Sequence, residues 1–223
     1  MTFDGKLDVP LSEIPTHGSL KHDIYRHVMS TLGSDIHPAR KFQYYNGLAY
    51  SVRDRLINTW LATQRTYYDT MTKRVYYLSL EFLPGRFLMN YVTILQIEDE
   101  CRKAVEELGF SLDELEEEEW DAGLGNGGLG RLASCYMDSL ACLKIPAYGY
   151  GIRYDYGIFH QAIVNGWQVE ECDNWRRRGS PWEIVRREHL YPVRFHGRTE
   201  SYTDEQGRLR FRWVDTQRVL AMA

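Results

Sequence analysis

The sequence has few cysteines, and none of them stands in a metal-binding arrangement. The four are Cys101, Cys135, Cys142 and Cys172, and no two are in CxxC spacing, so we predict no metal site. Cys135 and Cys142 lie seven residues apart in a predicted helix. We therefore expect them to share one face of that helix as buried thiols.

The sequence also lacks a long apolar run and an excess of one charge. No apolar stretch is long enough to span a bilayer, and the chain does not open with a basic segment followed by an apolar run. The formal net charge of −4 does not favour nucleic acid as a partner. We expect a cytoplasmic protein with neither a membrane nor a nucleic-acid partner.

The most informative segment that is present is a glycine-rich loop running directly into a predicted helix. Five glycines fall between Gly123 and Gly130, and apolar residues then recur at helical spacing as far as Leu143. Glycine permits positive φ angles and the close approach of a ligand to the main chain. Because the first N–H groups of a helix lack partners at the positive end of its dipole, the pattern predicts an anion site, most often for phosphate. A structural turn without a ligand is the alternative.

The same loop satisfies the dinucleotide fingerprint GxGxxG in two registers. That fingerprint requires a strand immediately before the loop, whereas residues 115–120 are typical of the end of an acidic helix. An acidic residue to hold the ribose is also lacking around Leu143. An NAD-dependent oxidoreductase is therefore disfavoured. A glycosidase would need two facing carboxylates, and among 31 acidic residues the sequence singles out no pair.

Periodicity predicts helices before this loop and strands on either side of it, an α/β alternation. The predicted helices are 20–32, ended by Gly33; 45–60, with a possible extension to Tyr68; 94–108; and one that begins with a capping box at Ser111–Glu114 and carries Glu116–Glu119 as a solvated face. The predicted strands are 75–80, 147–152, a hairpin within 154–164, and 191–195 and 209–214 around a turn at 204–207.

Residues 75–80 form an almost continuously apolar run, interrupted by Ser79, which predicts a parallel strand buried on both faces. Glu81 follows this strand, before a turn at Pro84-Gly85. Open α/β sheets place ligand contacts at the carboxyl ends of their strands, which makes Glu81 a candidate site residue. An ion pair between Glu81 and Arg86 is the alternative interpretation.

Several long motifs, in order, resemble the α-glucan phosphorylases, the family of the glycogen, starch and maltodextrin phosphorylases. They are Val75–Phe82 with Gly85-Arg86, Asp121–Ala133, Ala147–Tyr154, and Trp167–Glu170 with Asp173–Trp175. The resemblance implies a Rossmann-like N-terminal domain of a two-domain GT-B glycosyltransferase fold. It also implies phosphorolysis of terminal α-1,4-glucosyl units by inorganic phosphate, giving glucose 1-phosphate with retention, with pyridoxal 5′-phosphate as the cofactor.

The resemblance also assigns roles to individual residues. Gly128 matches the glycine whose backbone N–H meets phosphate, and Leu129 the residue whose N–H faces the glucosyl unit. Asn126 and Gly127 shape the loop, and Glu81 matches a carboxylate that lines the catalytic cleft.

Two features concern control of the enzyme. Tyr68 matches a nucleotide-contacting position of the allosteric animal enzymes, whereas Arg65 stands where they have glutamine. The first residues also lack the basic stretch around the serine that those enzymes phosphorylate. Regulation of that kind is not expected here.

The remaining expectations concern the extent of the chain. Residues 1–18 are interpreted as a flexible tail and 19–223 as an incomplete N-terminal phosphorylase domain, because the chain stops within an apolar run and the family is several times longer. The resemblance places the cofactor's lysine in a C-terminal domain, and Lys144 is expected at the surface. The fragment alone is expected to be inactive and the full-length protein a homodimer. A stand-alone glucan-binding or dimerisation module is the other hypothesis.

Overall fold

The computed structural model describes residues 18–37 and 39–222, so the predicted tail lies outside the described residues except for Gly18. The chain forms two compact units, one through Trp182 and one from Glu183 onward. The helices are α1 Leu20–Arg26, which continues as a π-helical turn His27–Thr31, α2 Lys41–Asp69, α3 Leu88–Leu95, α4 Glu98–Glu106, α5 Leu112–Glu116 and α6 Gly128–Cys142. The strands are β1 Val75–Leu78, β2 Ala147–Tyr150, β3 His160–Val164, β4 Trp167–Glu171, β5 Leu190–Phe195, β6 Arg198–Thr203, β7 Leu209–Val214 and β8 Gln217–Met222.

The core of the first unit lies among helices α1 to α5. The N-terminal half of α2 supplies Leu48 and Val52, and α3 and α5 supply Leu88, Leu112 and Leu115, all fully buried. Burying one such side chain contributes about 1.5–3 kcal/mol. This cluster fixes α3, which follows the Glu81 segment, and α5, the helix that precedes the glycine loop.

The helix predictions are largely confirmed. The long helix α2 does extend past Tyr68, and Ser111 and Glu114 form the expected capping box, with each side chain accepting the other's backbone N–H. The single helix predicted over 94–108 is wrong. Gln96 adopts a left-handed conformation (φ 57°) that ends α3, and α4 begins two residues later.

Strands β1 and β2 pair in parallel, with Val75 opposite Ala147, and α6 lies between them in the chain. The parallel strand is confirmed, but its predicted burial is wrong, since Leu78 is 77% exposed. Among the described residues this sheet has two strands, and three of the four residues of β1 are exposed. The mixed helix and strand architecture confirms the α/β class.

The hairpin predicted within 154–164 is also wrong. The observed hairpin is β3–β4, closed by Asn165 and Gly166, both with positive φ. In the second unit, the two predicted strands β5 and β7 form but do not pair with each other. Strand β5 pairs with β8 and β6 pairs with β7, all antiparallel, around the predicted turn at 204–207.

The prediction of buried thiols in α6 is wrong as well. Cys135 and Cys142 are both exposed, and of the four cysteines Cys101 is the buried one. Helix α6 buries the opposite set of positions, Gly130, Ala133 and Ser134. The small side chains and glycine of that face, rather than its thiols, therefore pack inward.

Candidate functional site

The glycine loop lies against the residues that follow strand β1. The Phe82 N–H donates to the Leu124 carbonyl at 3.0 Å, and the Leu83 N–H donates to the Gly130 carbonyl at 3.0 Å. The loop therefore sits at the carboxyl end of a parallel strand, where α/β sheets carry their ligand contacts. It is preceded by helix α5 rather than by a strand, which removes the dinucleotide interpretation.

Helix α6 begins at Gly128, as the pattern predicts. The Arg131 N–H makes the first bond of its opening turn, to the Gly127 carbonyl at 2.9 Å, so the N–H groups of Gly128 and Leu129 precede the helical ladder. A Cβ built on Gly127 or Gly128 would find nothing within 4 Å, and Leu129 is 64% exposed. The helix N-terminus is thus open on the side where an anion would bind.

None of the five loop glycines is required for a positive φ. Each has a negative φ, so the conformational reason expected from the sequence is not the one in use. A Cβ on Gly130 would lie 3.1 Å from the Gly125 Cα and 3.2 Å from Glu81 Oε2. Two glycines therefore let the loop fold tightly over Glu81, whereas Gly127 and Gly128 leave space for a ligand.

Glu81 is bound to the loop, not to Arg86. Its Oε2 accepts from the Asn126 N–H at 3.1 Å and its Oε1 accepts from Asn126 Nδ2 at 2.9 Å. Arg86 instead contacts Glu117 at 3.2 Å and Asp121 at 3.9 Å. Its hydrogen bond with Glu117 raises the pKa of the Arg86 guanidinium. The alternative of a Glu81–Arg86 ion pair is therefore wrong.

Glu119 is a site-flanking residue that the sequence interpretation missed. It is 3% exposed, and its carboxylate accepts from the Phe87 and Leu88 N–H groups at 2.9 and 3.0 Å and from Trp182 Nε1 at 2.9 Å. The expected solvated face is wrong at this position. A signal was present, because residues 112, 115 and 119 share helical spacing on the buried face of α5 and its continuation.

A cleft of about 690 Å³ opens beside the start of the loop. Trp120, Asp121, Arg131, His160 and Asp173 are among its lining residues. The Trp120 and His160 rings are nearly parallel, at 12°, with their centroids 6.4 Å apart. Burial raises the pKa of the Asp173 carboxyl, which also lies against Gly157. His160 and Asp173 were missed because they come from segments far along the chain.

Tyr68 lies at a different place from the glycine loop. It is 69% exposed at the end of α2, and the guanidinium of Arg74 lies 4.9 Å from its ring centroid. Arg74 immediately precedes β1, whereas Glu81 and the loop lie beyond the other end of that strand. The structure therefore separates Tyr68 from the other predicted site residues.

Lys144 is exposed, as expected, and lies just past the C-terminal end of α6. At 1.5 Å per residue, α6 places it about 20 Å from Gly128. The loop thus fits the phosphate of a cofactor, but Lys144 is not placed to form an imine with a cofactor bound there. Within residues 18–37 and 39–222, no group of three His, Cys, Asp or Glu side chains is arranged to hold a metal ion, and no helix has the length and apolarity to cross a bilayer.

Residues 105–223 match the family model Phosphorylase, described as carbohydrate phosphorylase. This segment includes the whole glycine loop, helix α6 and all strands after β1. Because it is more than half of the sequence, the chain belongs to the carbohydrate phosphorylase family.

Within that family the chain is similar to glycogen phosphorylases. It is 54% identical to the brain form of Bos taurus over 197 residues, 88% of this chain and 23% of that protein. It is 53% identical to the muscle form of Ovis aries over 203 residues, and 51% identical to that of Mus musculus over 212 residues. These cover 91% and 95% of this chain and 24% and 25% of those proteins. The chain therefore spans about a quarter of the length of the relatives it matches.

Proposed function

We propose that this chain is the N-terminal part of an α-glucan phosphorylase, acting on glycogen or a related α-1,4-glucan. The reaction is phosphorolysis of the terminal glucosyl unit by inorganic phosphate, which yields glucose 1-phosphate with retention. The observation that carries this proposal is the open N-terminus of α6 at Gly127-Gly128, in a chain of the phosphorylase family.

The loop residues then have distinct roles. The Gly128 N–H donates to phosphate, and the Leu129 N–H faces the glucosyl unit. Asn126 and Gly127 set the course of the loop, and Glu81 borders the cleft beneath it. N–H donors fixed by a helix stabilise developing negative charge without reorganising, which is why a helix start suits this reaction.

Pyridoxal 5′-phosphate is the proposed cofactor, and it supplies proton transfer through its phosphate when bound. In this chain, Gly128 lies in the environment of that phosphate, through its N–H at the positive end of the α6 dipole. The lysine that would hold the cofactor covalently is proposed to lie outside these residues, in agreement with the distant position of Lys144.

The proposal extends to the whole protein. It includes a GT-B fold of two facing Rossmann-like domains, with residues 19–223 contributing to the first, and a cytoplasmic homodimer as the assembly. The parallel pairing of β1 with β2, joined in the chain through α3 to α6, supports a Rossmann-like first domain. The roughly fourfold greater length of the glycogen phosphorylases supports a second.

The test compares the complete protein with the 223-residue chain. Each is supplied with pyridoxal phosphate, maltoheptaose and inorganic phosphate, and glucose 1-phosphate is assayed; cofactor absorbance is recorded after dialysis. We expect product and retained cofactor from the complete protein, and neither from the chain alone. A complete protein that binds maltoheptaose without turnover would favour a glucan-binding module instead.

A further inference from the structure

The crest of the glycine loop, at Asn126, is attached differently from the flanks on either side of it. The flanks are held by backbone bonds to Phe82 and Leu83, and by Arg131, whose Nη1 donates to the Pro84 carbonyl at 2.9 Å. The crest is held by Asn126, which directs both its backbone N–H and its side-chain amide to Glu81. Asn126 directly precedes Gly127-Gly128, the open start of α6.

Both oxygens of the Glu81 carboxylate are engaged by this one residue. Each oxygen accepts a single loop donor, at 3.1 and 2.9 Å, and Oε2 also packs against Gly130. Hydrogen bonds to an ionised acceptor are about twice as strong as neutral ones. The Glu81 carboxylate therefore holds the loop at the point where it enters α6.

We propose that Glu81 is a positioning residue, which fixes the N–H groups of Gly128 and Leu129 by clamping Asn126, rather than a group that touches the substrate. The inference rests on the proposed function for what those N–H groups bind. It assigns a structural purpose to four of the five loop glycines: Gly125 and Gly130 let the loop close on the carboxylate, and Gly127 and Gly128 face the ligand.

The pairing of donors and acceptors supplies the test. In Glu81→Gln, both bonds to Asn126 lose their ionised acceptor, and the Asn126 side-chain amide has to turn over before it can accept from the new NH2. In Asn126→Asp, the new carboxylate faces that of Glu81. In the double variant, the glutamine amide donates to the new aspartate while its carbonyl accepts the backbone N–H, so the clamp is rebuilt with its two side chains exchanged.

In the complete protein, we expect each single variant to lower kcat/KM for phosphorolysis by about 100-fold, the scale of a displaced oxyanion donor. The double variant is expected to recover at least about tenfold of that loss. Glu107→Gln is the matched control and should leave kcat/KM unchanged, because it removes an exposed carboxylate just past the end of α4 that pairs with Lys21 of α1. A double variant as slow as the slower single variant would overturn the clamp.

Hydrogen exchange on the complete protein tests the clamp without relying on activity. Exchange of the Asn126 amide should rise about tenfold in Glu81→Gln and fall back in the double variant. Unchanged exchange in Glu81→Gln contradicts the inference. If Glu81→Gln does not fold, Asn126→Ala, at an exposed position, takes its place. Hydrogen exchange is then measured at the amides of the loop glycines. A wild-type protein that forms no product would reject the proposed function, while exchange still decides the clamp.

Discussion

At the scale of single residues, neighbouring glycines of one motif have opposite surroundings. Gly123, Gly125 and Gly130 are buried, whereas Gly127 and Gly128 are exposed. The sequence predicted a loop that an anion approaches; the exposed pair leaves space for one, and its binding there stays a prediction. The contact between the loop and Glu81 decides which glycines pack inward and which face solvent. Glu81 lies 45 residues upstream of Asn126, so no local sequence pattern contains that contact.

This division predicts different effects of a single methyl group. Gly130→Ala should lower the free energy of unfolding by about 1–3 kcal/mol, because its Cβ meets the Gly125 backbone and Glu81. Gly128→Ala should change it by less than about 0.5 kcal/mol, since its Cβ enters open space at the first turn of a helix. Urea unfolding of the 223-residue chain measures both. Equal losses of unfolding free energy in the two variants would refute the division into packed and exposed glycines.

Glu119 is the second residue whose role the sequence concealed. It stands in a run of four glutamates, yet it alone of the four is buried, because three N–H donors from two other segments converge on it. Trp182, one of those donors, is 63 residues away. Such convergence is a tertiary property, which composition does not reveal.

We expect Glu119→Ala to lower the free energy of unfolding by about 3 kcal/mol or more, because it leaves buried donors without an acceptor. Glu117→Ala, two positions earlier at a carboxylate that is 75% exposed, should change it far less than Glu119→Ala does. Thermal or urea unfolding provides the comparison. Similar losses in both variants would show that the buried hydrogen bonds are not what distinguishes them.

At the scale of elements, the sequence predicted where helices form better than how strands pair. Helix α2, the capping box and the start of α6 all follow from local periodicity and capping chemistry. The β3–β4 hairpin was missed although Asn165-Gly166 is a strong two-residue turn signal. The break at Gln96 carries no such signal, since glutamine rarely adopts a left-handed conformation.

One contact between elements predicts a pH dependence. His27 is buried in the π-helical turn, where its Nε2 lies 3.0 Å from Asp54 Oδ2 of α2 and its Nδ1 lies 2.8 Å from Thr31 Oγ1. Burial lowers the His27 pKa below its usual 6.5, and the Asp54 carboxylate offsets part of that effect. The folded state therefore binds this proton less readily than the unfolded state does.

The stability that His27 contributes is fully present above pH 6.5 and is lost as the pH falls from 6.5 toward the lower folded-state pKa. We expect the difference in free energy of unfolding between wild type and His27→Gln to shrink between pH 7.5 and pH 5. Urea titrations at several pH values measure it. A difference that grows on acidification would mean that the pKa is raised instead.

At the scale of the whole molecule, the family could be predicted from the motifs, and the match over residues 105–223 confirms it. The α/β class could also be predicted. The exposure of β1 could not, because its apolar residues are typical of a covered strand, whereas three of its four residues are exposed in a two-stranded sheet of the described residues. The proposed roles of the loop residues and Glu81 depend on a catalytic cleft to which further residues of a longer protein would contribute.

The most direct measurement is the rate of glucose 1-phosphate formation by the complete protein, wild type against Gly128→Pro. Proline is tolerated at the first position of a helix but lacks the N–H. We predict α-glucose 1-phosphate from maltoheptaose and phosphate, with kcat/KM at least about 100-fold lower in the variant and unchanged circular dichroism. No product from the wild type, or an equal rate in the variant, would contradict the central role of the α6 N-terminus.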